Sequence, residues 1–349
     1  MTEQATQSDK TDSKKRILTG ITTTGIPHLG NYVGAIRPAI QAANSGEDDA
    51  YFFLADLHAL IKCADPDLIH ASTKAIAATW LACGLDPERV VFYRQSDIIE
   101  IPELTWVLNC NCAKGLMNRA HAYKAAVDIN NATPDTDPDY GITMGLFSYP
   151  VLMAADILMF NATHVPVGKD QIQHLEMARD MAGTFNFKYA QQNPIFVLPE
   201  AVVDEDTPLL TGLDGRKMSK SYGNTIPFGA GPEEMWERIR MMTTDPQRIK
   251  KTDPGHPEVC IVYAFHKVFN PEEYEEIGAR CRAGEIGCVE CKKRLAEKMN
   301  ALLADIHTKR EELSKKPEYI KEVLDYGAQR ARKEAEKTMA EVKTAMNVL

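Results

Sequence analysis

A chain of 349 residues is long enough for two domains, or for one large α/β unit with a helical part appended. With 44% hydrophobic and 26% charged residues it has the makeup of a folded protein, which excludes disordered and fibrous classes. No apolar run reaches the ~18 residues of a membrane helix, and the net charge of −9 sits entirely in residues 1–231. Residues 232–349 carry 22 basic and 22 acidic side chains, so any RNA contact is expected from a local patch in this neutral third rather than from bulk attraction.

Residues 1–15 are polar and lack an apolar core. They are expected to be a disordered tail rather than a signal peptide, which points to a cytoplasmic protein. Strand and helix patterns then alternate. Arg16–Thr22, 50–55, 90–93 and 163–167 read as strands, the second (AYFFLA) as a densely buried one. Helices are expected over 32–43, 68–83, 102–112 and 141–159, with a last one capped by Asp170 and running to Ala182. The stretch 130–140 (NNATPDTDPDY) reads as a polar loop. After Gly231 the pattern is helical throughout, ending in a 3.6-period apolar stripe from Ile320 to Met346. Together these predict an α/β protein: a doubly wound parallel-sheet (Rossmann-like) catalytic domain over 16–208, with an all-helical C-terminal part. Ligands of such sheets bind beyond the strand C-termini, at the switch point.

Two segments carry phosphate-binding chemistry. Thr22-Thr23-Thr24-Gly25-Ile26-Pro27-His28-Leu29-Gly30-Asn31 links the first strand to the first helix. Its hydroxyls, glycines and helix N-terminus suit a phosphate, and His28 can donate to phosphoryl oxygens as charge builds on them. Read alone, it is equally a Gly/Pro turn with a capping Thr. Lys217-Met218-Ser219-Lys220-Ser221 sits between glycines, and its two lysines suit a mobile loop that grips a triphosphate.

A Thr-x-x-x-His-x-Gly-Asn turn with KMSKS about 190 residues further on resembles the class I aminoacyl-tRNA synthetases, Asn31 replacing the second His of their HIGH motif. That Asn, with SYPVLMAADILMF over 148–160 and VPVGKDQ over 165–171, resembles the bacterial tryptophanyl branch of the family. The likeness runs from about Ile17 to Leu349. It implies that L-tryptophan is activated with ATP to tryptophanyl-AMP and passed to tRNA(Trp). His28, Asn31, Lys217 and Lys220 would be catalytic. Thr22, Thr23, Thr24, Gly30, Gly168, Lys169, Asp170, Leu209, Met218, Ser219 and Ser221 would join them in binding ATP, with Mg²⁺ neutralising the triphosphate. Residues 209–310 would hold the KMSKS loop and an anticodon-binding helical domain, 311–349 would pack back on the catalytic domain, and the chain would form a homodimer.

Tyr149, Met153 and Asp156 fall on one face of the long apolar helix. Tyr149 and Met153 offer flat apolar walls, and Asp156 can accept from an indole N–H, which only donates. By resemblance His58, Val165, Val167 and Gln171 complete the tryptophan pocket. Tyrosyl relatives usually place Gln where Met153 stands, and many append an RNA-binding domain. Met153 and the end of the chain at Leu349 therefore favour tryptophan. A lysine before the long helix should reach the ATP phosphates in such enzymes, and Lys124 is the candidate. The competing readings are a non-catalytic relative that senses tryptophan or RNA, and a tyrosyl enzyme.

Finally, Cys260, Cys281, Cys288 and Cys291 form C-x20-C-x6-C-x2-C in the helical part. Four thiolates so spaced suggest a closed Cys₄ site, for zinc or an iron–sulfur cluster. Some tryptophanyl enzymes carry C-x22-C-x6-C-x2-C around a 4Fe–4S cluster, so the resemblance implies 4Fe–4S, with Zn²⁺ as the alternative. Lys292-Lys293-Arg294 directly follows and reads as a phosphate-contacting patch or a solvated helix face.

Overall fold

The protein is described by a computed structural model over residues 14–203 and 210–348. In chain order come β1 (Arg16–Thr22), α1 (Leu29–Asn31), a π-helical turn (Tyr32–Ile36), α2 (Arg37–Asn44), β2 (Asp49–Ala55), α3 (Asp56–Ala59) and α4 (Pro66–Ala82). They are followed by β3 (Val91–Arg94), α5 (Glu100–Asn111), α6 (Lys114–Met117), α7 (His121–Asn131), α8 (Met144–Met159), β4 (His164–Pro166), α9 (Ile172–Tyr189) and β5 (Glu200–Val202). Five further helices complete the chain: α10 (Pro232–Met241), α11 (Ile261–Phe269), α12 (Tyr274–Arg282), α13 (Cys288–Ser314) and α14 (Pro317–Met346).

The strands form one parallel sheet in the order β3-β2-β1-β4-β5. The order reverses at β1, so the switch point lies between β1 and β4, where a crevice opens past the strand ends. Side chains of β2 alternate between two apolar layers. Phe52 and Leu54 join Trp80, Phe92 and the C-terminal helices α10, α11 and α13 on one face. Tyr51, Phe53 and Ala55 join the helices α5, α8, α9 and α14 on the other. The doubly wound parallel sheet and the helical C-terminal part are as the sequence predicts.

Three local expectations are corrected. Asp170 does not cap the helix that follows: it lies inside a 3₁₀ turn, Lys169–Gln171, and the helix starts only at Ile172. That helix passes Gly183 and continues to Tyr189, since one interior glycine costs only about 1 kcal/mol and Phe185 is fully buried beyond it. Helices α6 and α7 precede the polar loop, and α7 fully buries none of its residues, its half-buried face being mostly alanine with Tyr123 and Val127, a weak signal. The fully exposed three-residue β5 likewise shows no alternation.

Helix α14 closes the open edge of β3. Gly327 passes so close that a Cβ there would lie 1.8 Å from the Phe92 carbonyl oxygen. Arg330 Nη1 donates to the carbonyls of Pro87 (2.9 Å) and Val90 (3.2 Å) beside it. The carbonyl is backbone within a sheet and cannot yield without moving the strand. Gly327→Ala, favourable by about 1 kcal/mol for an ordinary helix, is therefore expected to lower unfolding stability by about 2 kcal/mol or more, read as a drop in the urea midpoint.

Candidate active site

The crevice holds two adjoining cavities, each of about 710 Å³. Both are bordered by Gly20, Thr22 and Thr24 at the end of β1. Thr23 is fully buried and lines neither, so Thr22 and Thr24 are the hydroxyls available there.

The second cavity lies between the 22–31 turn and residues 217–220. The turn is shaped by a reciprocal cap: His28 Nδ1 accepts the Asn31 amide N–H (3.2 Å) and Asn31 Oδ1 accepts the His28 amide N–H (3.0 Å). Asn31 thus spends its side-chain oxygen on the turn. With Nδ1 accepting, the His28 proton sits on Nε2, which is left as a donor. Burial, and then the charge of Lys220, push the imidazole pKa down to about 4. His28 is a neutral hydrogen-bond donor near pH 7.

Lys220 reaches over this turn, its Nζ donating to the Thr24 carbonyl at 3.4 Å. Gly25 makes room, with φ of +122° and no side chain where a Cβ would stand 2.7 Å from that Nζ. Desolvation lowers the Lys220 pKa. Met218 is buried in the apolar layer, and a Cβ on Gly30 would sit 3.3 Å from its sulfur. Lys217 stays exposed, 3.9 Å from Asp170 Oδ2. The sequence reading missed the brace beneath this loop. Buried Asn224 accepts from the Ser219 amide (2.8 Å) and donates to Asp214 Oδ1 (2.8 Å) and the Lys217 carbonyl (3.1 Å). Those bonds, the one from Asn224 first and then those from Arg216, hold the Asp214 pKa at about 2.

The first cavity is lined by His58, Tyr149, Met153, Asp156, Val165, Val167, Gly168 and Gln171. The residues expected to form the tryptophan pocket therefore converge. Asp156 is buried, and burial raises its pKa. Its Oδ2 lies 2.9 Å from His58 Nε2. A residue that sequence reasoning missed, fully buried Gln95, donates from Nε2 to both carboxylate oxygens at 2.8 and 2.9 Å. A lone Gln after a strand carries no spacing signal. At the other wall, Tyr149 Oη contacts His174 Nε2 (2.7 Å), and His174 Nδ1 contacts Gln171 Oε1 (2.9 Å). Burial, and then the charge of His121, lower the His174 pKa, so its Nδ1–H donates to Gln171 and its Nε2 accepts from Tyr149. Gln171 Nε2 continues to Asp170 Oδ2 at 3.1 Å. Gly168 leaves room for that same Asp170, since a Cβ would lie 2.7 Å from Oδ1.

Lys169 falls in the 3₁₀ turn beside the first cavity. Lys124 lies exposed on α7, two residues beyond Ala122 of the cavity lining. Leu209, the Ser221 side chain and the expected tail up to residue 13 lie outside the described residues.

The four late cysteines gather from three elements: Cys260 just before α11, Cys281 in α12, and Cys288 and Cys291 in the first turn of α13. Burial, and then the Cys260, Cys281 and Cys288 thiols, push the Cys291 pKa up to about 12. Arg248 Nη1 lies 3.6 Å from Cys281 Sγ and His266 Nε2 3.5 Å from Cys291 Sγ. Among the described residues no three or more His, Cys, Asp or Glu side chains are arranged to hold a metal ion, so no compact tetrahedron of the kind Zn²⁺ requires is preformed. Of the two readings of the basic run, the structure leaves the solvated helix face the better fit. Lys292 Nζ is committed to the carbonyls of Arg240 (2.8 Å) and Met242 (2.7 Å) at the end of α10, and Arg294 pairs with Glu290 (3.3 Å).

A parallel sheet with a HIGH-like turn under a KMSKS loop defines a class I synthetase, and the comparisons agree. Residues 10–304 match the class I tRNA synthetases for tryptophan and tyrosine, and the chain belongs to that family. It is 53% identical to a tryptophan–tRNA ligase of Neisseria meningitidis over 96% of its length and 98% of that protein's. It is 52% identical to one of Pseudomonas putida over 95% and 74%. A tryptophanyl-tRNA synthetase of Campylobacter jejuni, solved with ADP and tryptophan, superposes with a TM-score of 0.84 at 39% identity, covering 95% of this chain and 99% of that one. These relatives put the chain among the tryptophan-specific aminoacyl-tRNA synthetases.

The depressed His28 pKa sets a sign. Folding withholds a proton that the unfolded imidazole binds below about 6.5, so the His28 contribution is intact above that pH and is lost as pH falls toward about 4. In proton NMR the His28 ring resonance is expected to stay at its neutral shift down to about pH 5 and to titrate near 4.

Proposed function

We propose that the chain joins L-tryptophan to tRNA(Trp) through tryptophanyl-AMP, with the first cavity seating tryptophan and the second the ATP triphosphate. The observation that carries this is the adjacency of a buried, acceptor-bearing apolar cavity and a lysine-covered turn at one switch point. The tryptophan carboxylate attacks the α-phosphorus of ATP, the bond to the β-phosphate oxygen breaks, and pyrophosphate leaves. The attacking group is already an anion, so no general base is needed, and catalysis is positioning plus stabilisation of developing charge. His28 Nε2–H donates to the phosphoryl oxygens. Lys217 and Lys220 hold the leaving pyrophosphate, with backbone groups of Gly30, Met218, Ser219 and Ser221 beside them. Gly168, Lys169, Asp170 and Leu209 flank the nucleoside. Mg²⁺ travels with ATP and neutralises its phosphates. The 2′-hydroxyl of the terminal adenosine of the tRNA then takes the tryptophanyl group and AMP leaves. Asp156 accepts the indole N–H, between walls made by Tyr149, Met153, Val165 and Val167.

Residues 16–208 serve in this reading as the catalytic unit, 209–310 as the KMSKS loop and tRNA-facing helices, and 311–349 as a brace returning to β3. Two such chains form a cytoplasmic homodimer. No helix among the described residues is long and apolar enough to cross a membrane, which suits a reaction whose partners are aqueous. The four converging cysteines are assigned a 4Fe–4S cluster. The support is their spacing and their approach from three elements beside Arg248 and Lys292, whose cationic charge suits an anionic cluster.

Tryptophan-dependent exchange of pyrophosphate into ATP tests the reaction. Exchange is expected with tryptophan and not with tyrosine, and its absence would leave a tryptophan- or RNA-binding sensor. Lys220→Ala should slow exchange on the order of 10²-fold with little change in tryptophan affinity, because it removes a contact strongest in the transition state. Protein purified without oxygen should absorb near 400 nm and carry about four irons per chain; a colourless, iron-free preparation would refute the cluster.

A further inference from the structure

We propose that Gln95 is a specificity-positioning residue: it clamps Asp156 so that one carboxylate lone pair, and no proton, faces the indole. The inference rests on the reading of Asp156 as the indole acceptor and concerns how that acceptor is kept ready.

The Gln95 amide is fully buried and its hydrogen bonds fix which way it faces. Its Oε1 accepts the backbone N–H groups of Leu57 (3.2 Å) and His58 (3.3 Å) at the start of α3. Backbone N–H groups only donate, so the Gln95 oxygen must face them and the NH₂ must face Asp156. That NH₂ lies 2.8 Å from Oδ1 and 2.9 Å from Oδ2. Oδ2 has His58 Nε2 as a second neighbour at 2.9 Å, whereas among the described residues Gln95 is the one side-chain donor on Oδ1. Oδ1 is therefore the oxygen with capacity for a ligand donor.

The clamp matters because the other influences on this buried carboxylate conflict. Burial, and then Asp56 at the start of α3, favour its protonated form, while His58 and Gln95 favour the anion. Tyr93, buried on β3 beside it, is kept neutral, its pKa raised mainly by its own burial. If Asp156 took up a proton it would become partly a donor, and a donor facing the indole N–H would repel it. Two donors on the carboxylate, one of them a side chain that cannot titrate, hold it as an acceptor. Phenylalanine offers no donor and leaves Oδ1 unpaired, which is the basis of rejection.

Gln95→Glu isolates the clamp. It keeps the shape and the oxygen that accepts from Leu57 and His58, and replaces a donor that cannot titrate with a carboxyl group that competes with Asp156 for one proton. Two carboxyl groups at that separation share a proton. The expected result is a fall in kcat/KM for tryptophan on the order of 10²-fold near pH 7, with the value for phenylalanine changed by less than about twofold. The acid limb of the tryptophan pH profile should also move up by about one pH unit or more. A merely structural role would lower both substrates together and leave the limb in place. Should Gln95→Glu fold poorly, Gln95→Met adds no charge and is expected to shrink the same tryptophan-to-phenylalanine ratio. Asp156→Asn, measured alongside, separates the two levels of argument. If it collapses the ratio while both Gln95 variants leave ratio and acid limb unchanged, the clamp is overturned and Asp156 remains the reader. If Asp156→Asn also leaves the ratio unchanged, the reading of Asp156 falls and takes the clamp with it.

Discussion

The active site depends on a backbone stitch between segments about 200 residues apart in sequence. The Leu29 amide donates to the Ile226 carbonyl (3.0 Å) and the Phe228 amide to the Pro27 carbonyl (2.9 Å). These two bonds pin the turn after β1 to the strand of chain just beyond the KMSKS loop. Because the loop leaves that pinned segment after only a few residues, Lys220 is delivered over Gly25 and Thr24 rather than to open solvent. The same stitch holds the turn in which His28 and Asn31 cap each other, so the loop's placement and the imidazole's orientation are consequences of one contact. Packing reinforces it: Phe228 sits 4.8 Å from the Tyr32 ring, centroid to centroid, with both residues buried.

The two cavities are built on different principles, which suit the ligand proposed for each. The side proposed for the amino acid is built on regular secondary structure. Its polar groups are mostly buried, bonded to one another, and carried by the helices α8 and α9 and the turn after β3. Such a site can discriminate, because an ill-fitting ligand strands a desolvated acceptor. The side proposed for the triphosphate is made of loop, and its two lysines are tied down weakly, one to a carbonyl at 3.4 Å and the other to an exposed carboxylate at 3.9 Å. Weak ties suit charges that must follow a leaving group. Asp170 stands between the sides: through Gln171 and His174 it touches the Tyr149 wall, and on its other flank it faces Lys217.

What the sequence disclosed follows the same division. Strands and helices with dense or periodic apolar patterns were legible, including the stripe of α14. Many of the candidate residues inside contiguous motifs line the two adjoining cavities, although Thr23 is buried away from both. Gln95, His174 and Asn224 were not legible, because their partners are set by how the chain folds around them, and no local spacing pattern encodes that. Asp170 was misread as a cap because an acidic residue before a helix looks the same whether or not a 3₁₀ turn intervenes. For the Lys292–Arg294 run the sequence left a phosphate-contacting patch and a solvated face open: charge is visible in a sequence, but the carbonyls that occupy Lys292 come from the end of α10, about fifty residues earlier.

Helix α13 joins these observations into one frame. Its 27 residues span about 40 Å at 1.5 Å per residue. At one end its first turn carries Cys288 and Cys291, and Lys292 fastens it to the last carbonyls of α10. Toward the other end His307 Nε2 donates to the Phe228 carbonyl at 2.7 Å, and Arg310 Nε reaches Thr79 Oγ1 in α4 at 3.1 Å. A continuous helix transmits displacement along its length rather than absorbing it. The cysteine end of the molecule and the segment that pins the turn after β1 are thereby joined by one secondary-structure element, fastened at both ends by side chains that donate to backbone carbonyls.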